Sequence, residues 1–110
     1  MHTDPEFQCE RRNVTVYVLA QLKFKDRAAY DRYQAAFGGV FGAFEGAVLS
    51  ADTRPKVLEG HWEGDKVVLL SFPDEAAWRA WAESPGYQDI SRDRVAGADC
   101  TVLLLKGVGA

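Results

Sequence analysis

Glu59 and His61 stand two residues apart in the stretch Leu58-Glu59-Gly60-His61-Trp62. In an extended chain, residues i and i+2 share a face. A carboxylate placed there could orient an imidazole for general acid–base work. The competing reading is a solvent-facing pair at a sheet edge. Tyr87 and Arg94 form a second set, seven residues apart, which is two turns along one side of a helix. A guanidinium can grip a substrate carboxylate through two parallel hydrogen bonds. It can equally bridge to Asp52, Glu59 or another acid and tie its helix to the sheet. Tyr17 could offer a hydroxyl to an enclosed interior or simply fill it. Asp52 and Arg54 flank a turn, where they could line a pocket mouth or stand in solvent. Trp62, Trp78 and Trp81 read as core and interface rather than as a stacking platform.

Other chemistries lack their residues. His2 and His61 are the only histidines and have no metal-ligand spacing. Gly38-Gly39-Val40-Phe41-Gly42 lacks the lysine of a phosphate-binding loop, and no nucleophile elbow is present. The expectation is therefore no metal and no cofactor. Cys9 and Cys100 do not make a disulfide framework; Cys100 reads as a small buried hydrophobe opening a strand. The 13 basic and 16 acidic residues leave a net charge of −3, so no basic face argues for nucleic acid. Arg11-Arg12, beside Glu10, is read as a solvated flank. No apolar run approaches the ~20 residues of a membrane span. Residues 1–13 are polar and lack the apolar centre of a secretory signal. The expectation there is a flexible segment, compatible with expression-vector residues, on a cytoplasmic protein.

The remaining residues, 14–107, read as one domain. Val14–Ala20 is β-branched, aromatic and alternating, hence a strand. Asp26 can cap the helix that follows. Its stripe of Ala29, Tyr30, Tyr33, Ala36, Phe37, Val40, Phe41 and Phe44 is interrupted by Gly38-Gly39. That pair costs ~1 kcal/mol per glycine relative to alanine, which predicts a kink or break there and a stop at Gly46. Ala47–Asp52 is a short strand and Thr53-Arg54-Pro55 is turn chemistry. Lys56–Trp62 resumes in extended form, and Glu63-Gly64-Asp65 turns it into the strand Lys66–Phe72. Asp74 caps one helix, and Ser84-Pro85 ends it and caps the next. Gly97 closes that helix, and Cys100–Lys106 is the last strand. The order predicts an α+β, ferredoxin-like βαββαβ fold with helices on one face of an antiparallel sheet.

The strands are apolar on both faces. Val67 and Leu69 oppose Val68, Leu70 and Phe72; Leu103 and Leu105 oppose Val102 and Leu104; Tyr17 and Leu19 oppose Val16 and Val18. Helices on one face leave the other wet, and each exposed Val, Leu or Phe forgoes ~1.5–3 kcal/mol of burial. Monomers rarely show so large a patch. A second copy packed sheet to sheet in a two-fold dimer is the simplest cover; the alternative is that loops and the Gly38–Gly46 segment fold over it.

Leu58-Glu59-Gly60-x-Trp62, then Lys66–Phe72 with Pro73, then Ser84-Pro85-x-Tyr87-Gln88 and Arg94, resembles the family catalogued as domain of unknown function thirteen-thirty, within the dimeric α+β barrel superfamily. The likeness runs from Val14 to Gly107. It implies a ferredoxin-like protomer and a homodimer whose sheets form a barrel, and it implies no reaction. Other members of the superfamily are cofactor-free monooxygenases, isomerases and lyases, an analogy at the level of the fold. Family members often carry a glycine-rich, basic turn before the second strand. Phe44-Glu45-Gly46 replaces it here, so no anion-binding role carries over to that turn. The resulting expectation is a homodimer with a pocket for a small organic molecule, anions among the candidates, in each protomer. If there is chemistry, Glu59 or His61 does acid–base work and Arg94, with Tyr87, positions the substrate. The alternative is a non-catalytic structural or regulatory dimer module.

Overall fold

The computed structural model describes residues 14–108; Cys9, His2 and the N-terminal segment discussed above lie outside them. The elements in chain order are β1 (Val16–Phe24), α1 (Arg27–Phe41), β2 (Ala47–Asp52), β3 (Lys66–Phe72), α2 (Glu75–Ala82), α3 (Pro85–Gly97) and β4 (Ala98–Lys106). The four strands form one antiparallel sheet in the order β2-β3-β1-β4.

Each helix begins where its capping residue dictates. The Asp26 carboxylate accepts from the Ala29 N–H at 3.3 Å, Asp74 from Ala77 at 2.8 Å, and the Ser84 hydroxyl oxygen from Tyr87 at 3.2 Å. Each satisfies an N–H that has no partner within the helix. Pro85 occupies the first turn of α3, where a missing N–H costs nothing.

Two expectations fail, each for a tertiary reason. Helix α1 runs unbroken through Gly38-Gly39 and ends at Phe41, with Gly42 as its cap. Phe37, Val40 and Phe41 all pack into the core, and the burial of such side chains, ~1.5–3 kcal/mol each, exceeds the glycine penalty. Lys56–Trp62 is not a strand. In the sheet β3 is already bonded on one side to β2 and on the other to β1, so no edge is left for a hairpin partner. Residues 53–65 form an irregular loop instead, with Gly60 at φ 89°. That left-handed value favours glycine. Asp65 anchors the end of the loop: its N–H donates to Leu22 O at 2.7 Å and its carboxylate accepts from Phe24 N at 2.8 Å.

One sheet face carries Val16, Val18, Ala20 and Leu22 from β1, Lys66, Val68, Leu70 and Phe72 from β3, and Cys100, Val102 and Leu104 from β4, in cross-strand register. The helices cover this face over β1 and β3, while at the β4 edge Val102 remains 51% exposed. Val16, Val18, Leu70 and Phe72 bury against Phe41, Ala77 and Trp81, and Leu22 and Ala98 bury against Tyr30 and Tyr33. Helix α3 presses on α1 where Gly97 meets Tyr30. A Cβ at position 97 would lie 2.5 Å from the Tyr30 nitrogen, so only glycine fits that approach.

The opposite face bears the row Leu69–Leu19–Leu103 and, beside it, Ser71–Tyr17–Leu105. No helix covers it. Leu103 and Leu105 are 47% and 43% exposed.

Candidate ligand-binding site

A cavity of about 270 Å³ lies between the sheet and the three helices. Its floor is the central row Val68–Ala20–Val102. Ala20 is the reason for the space, because its one-carbon side chain stands where larger neighbours fill the adjacent rows. The roof comes from α1, whose Tyr30, Tyr33 and Phe37 recur at helical spacing. Trp78, Trp81 and Ala82 of α2 close one end, and Tyr87, Gln88 and Arg94 of α3 form a wall. The aromatic rings brace each other, with the Trp81 and Tyr87 centroids 4.2 Å apart and those of Tyr30 and Tyr33 5.7 Å apart. Such pairs are worth ~0.5–1.5 kcal/mol beyond the area they bury.

Two polar atoms in this apolar wall are buried without a hydrogen-bond partner: Arg94 Nε and Trp81 Nε1. A buried unpaired donor costs ~1–3 kcal/mol, more when charged. Among the described residues no carboxylate lies within ion-pair distance of Arg94. The salt bridge to Asp52 or Glu59 is therefore not formed. Burial works against the Arg94 charge, but Tyr87, Cys100 and Tyr33 beside it outweigh that, and its pKa is raised. It is a permanent cation. Burial drives the Tyr33 hydroxyl far up, with Tyr87 adding to the effect. Tyr33 therefore enters the cavity as a neutral hydroxyl.

The cavity brings together Tyr87 and Arg94, as their two-turn spacing requires. It does not include the other residues singled out in the sequence. Glu59 and His61 lie in the loop rather than on a strand, so the shared face on which their pairing rested does not exist. Both are exposed, and His61 Nε2 is 2.9 Å from Glu63 Oε2 instead. Tyr17 points to the uncovered sheet face. Asp52 is exposed at the end of β2, where its carboxylate accepts from the Arg54 N–H at 2.8 Å, and the Arg54 residue is exposed in the turn.

The family model for "Domain of unknown function (DUF1330)" matches residues 15–108. The chain belongs to this family. Comparison with curated proteins finds no match. Among solved structures, the DUF1330 chain is similar to a protein of unknown function from Rhodopseudomonas palustris, with TM-score 0.75 and 22% identity over 100% of this chain and 97% of that one. It is also similar to a dimeric ferredoxin-like protein of unknown function from Jannaschia sp., with TM-score 0.70 and 20% identity over 84% and 99% of the two chains. SnoaB, a cofactor-independent oxygenase from Streptomyces nogalater, aligns with TM-score 0.65 and 13% identity over 88% and 96%. At these identities the likenesses establish the ferredoxin-like fold of the DUF1330 domain and nothing finer.

Sequence reasoning passed over Tyr30, Tyr33 and Trp81 as core, and Lys66 altogether. Strand alternation did carry a signal for Lys66, because its parity matches Val68, Leu70 and Phe72 on the covered face. A lysine in that company is a buried lysine.

Proposed function

We propose that the protein is a homodimer that binds a small organic anion, a carboxylate in the first instance, in the cavity of each protomer. The observation that carries this reading is the Arg94 guanidinium, which enters an apolar cavity with no acid to pair it. Arg94 is half-buried and its Nε is buried without a partner, which is costly, so the site gains most from an occupant that brings a negative charge. The planar fork of the guanidinium suits a carboxylate. Trp81 Nε1 offers one further donor to the same ligand, and the aromatic walls suit an apolar or aromatic body. Dimerisation is supported by the uncovered apolar face and by a structural neighbour described as dimeric.

A second reading adds chemistry of the kind named for SnoaB, carried out by the protein without a cofactor. The hydroxyls of Tyr33 and Tyr87 beside Arg94 favour it, since together they could stabilise charge developing on a bound oxygen.

The test is calorimetry with a panel of small aliphatic and aromatic carboxylates, wild type against Arg94→Met. At least one carboxylate should bind wild type, and its affinity should fall ~10-fold to 100-fold in the variant, as expected for losing a charge-assisted pair of ~1.5–3 kcal/mol. Binding that survives Arg94→Met undiminished would refute the anion reading.

A further inference from the structure

A second, smaller cavity of about 120 Å³ opens beside the first, and the two share Tyr30, Tyr33, Phe37 and Val68 in their walls. Lys66 lines it. This lysine is only 8% exposed. Its Nζ donates to Tyr30 Oη at 3.0 Å and to Gln34 Oε1 at 2.8 Å. Both partners are neutral. Among the described residues no carboxylate lies within ion-pair distance of it. A lysine kept for stability would be expected to have an acid beside it, because burying an unpaired ammonium is costly. The other lysines of the chain, Lys23, Lys25, Lys56 and Lys106, are all exposed.

We propose that Lys66 is a nucleophilic amine that forms an imine with a small carbonyl compound entering this double cavity, and that the compound is an oxo acid whose carboxylate is held by Arg94. The geometry supports both halves. Lys66 pairs with Leu22 across the sheet and Leu22 with Cys100, which adjoins Arg94. Lys66 and Cys100 are thus two strand spacings apart, roughly 10 Å. In the proposal the oxo acid lies beneath Tyr30 and Tyr33, which line both cavities. The carboxylate half rests on the reading of Arg94 given above; the amine half does not.

The chemistry needs a neutral amine. Burial lowers the Lys66 pKa, and nearby Arg27 lowers it further while Asp31 acts weakly the other way. The amine lone pair attacks the carbonyl carbon, forming a C–N bond, and a proton moves from nitrogen to the carbonyl oxygen. The carbinolamine then loses water to give the imine, so amine plus carbonyl gives imine plus water with no redox partner. The Tyr30 hydroxyl, whose pKa burial raises, remains protonated. At 3.0 Å from Nζ it can supply the proton that the leaving hydroxyl takes and recover the one left on nitrogen.

The experiment is reductive trapping at pH 7 with cyanoborohydride, using pyruvate and, separately, uncharged propionaldehyde, followed by peptide mapping of all the lysines. Lys66 should be labelled by both faster than any exposed lysine, since burial leaves more of its amine unprotonated. Tyr30→Phe should slow labelling at Lys66, and Arg94→Met should cut pyruvate labelling by a larger factor than propionaldehyde labelling. Labelling by propionaldehyde with no Arg94-dependent advantage for pyruvate would uphold the amine and overturn the oxo-acid assignment. Labelling of Lys66 no faster than Lys23, Lys25, Lys56 or Lys106 with either probe would overturn the proposal, whatever carboxylates bind at Arg94 by calorimetry.

Discussion

The polar residues of the site are few and each is held without a compensating charge. Arg94 and Lys66 are the two cations on the helix-covered face, and neither has a carboxylate partner among the described residues. They differ in kind. A guanidinium cannot shed its proton in a protein, whereas an ammonium can. Lys66 therefore gives stability a pH dependence of known sign. Its folded pKa lies below the ordinary 10.5, so as pH rises toward that value the folded amine loses its proton before the unfolded one does. The unfolded state then binds more protons, and stability increases with pH. Wild type should gain stability relative to Lys66→Met between neutral pH and about 10.5, measured as the difference in urea midpoints across that range. A flat difference would mean that Lys66 is charged in the folded protein. Tyr87 and Arg94 line one cavity, as their sequence spacing predicts, because a two-turn spacing survives folding unchanged. Glu59 and His61 do not share a strand face, because no strand forms there.

At the scale of elements, the local signals that held were those satisfied within a few residues. Asp26, Asp74 and Ser84 each cap the helix they precede. Those that failed were overruled from a distance. Gly38 and Gly39 lie on the solvent side of α1, and a Cβ at either would meet nothing within 4 Å. The helix tolerates them because Phe37 and Phe41 are anchored, with Phe41 packed edge-on against Trp81 at 5.4 Å. Gly38→Ala and Gly39→Ala should each stabilise the protein by ~0.4–1 kcal/mol, through lost freedom of the unfolded chain. Chemical denaturation of the two variants checks this; a loss of stability would show that the glycines serve a bend the helix needs. Loop 53–65 is the other case, where Val57 and Leu58 looked like strand residues but their intended partner β3 is already paired on both sides. Leu58 is left 85% exposed.

The whole molecule presents two apolar surfaces of different fate. One sheet face is closed by helices and keeps a cavity in its middle; the other is open, with the leucine row Leu69–Leu19–Leu103 at its centre. In the proposed dimer that row is central to the sheet-on-sheet contact. Leu103→Glu should convert the dimer to a monomer by light scattering at micromolar concentration, with the helical circular dichroism retained, since Leu103 is 47% exposed in the protomer. A variant that stayed dimeric would place the contact elsewhere. Alternation, capping and turn chemistry are local, so the sequence alone determined the strand and helix order, the parity of β1, β3 and β4 and hence the two-sided sheet. What occupies a sheet edge, and what gathers around Ala20, depends on residues far apart in the chain. Only the tertiary structure decided that Lys56–Trp62 has no strand to pair with. It alone brought Tyr30, Trp81 and Arg94, from three different helices, onto one cavity, with Lys66 in the next.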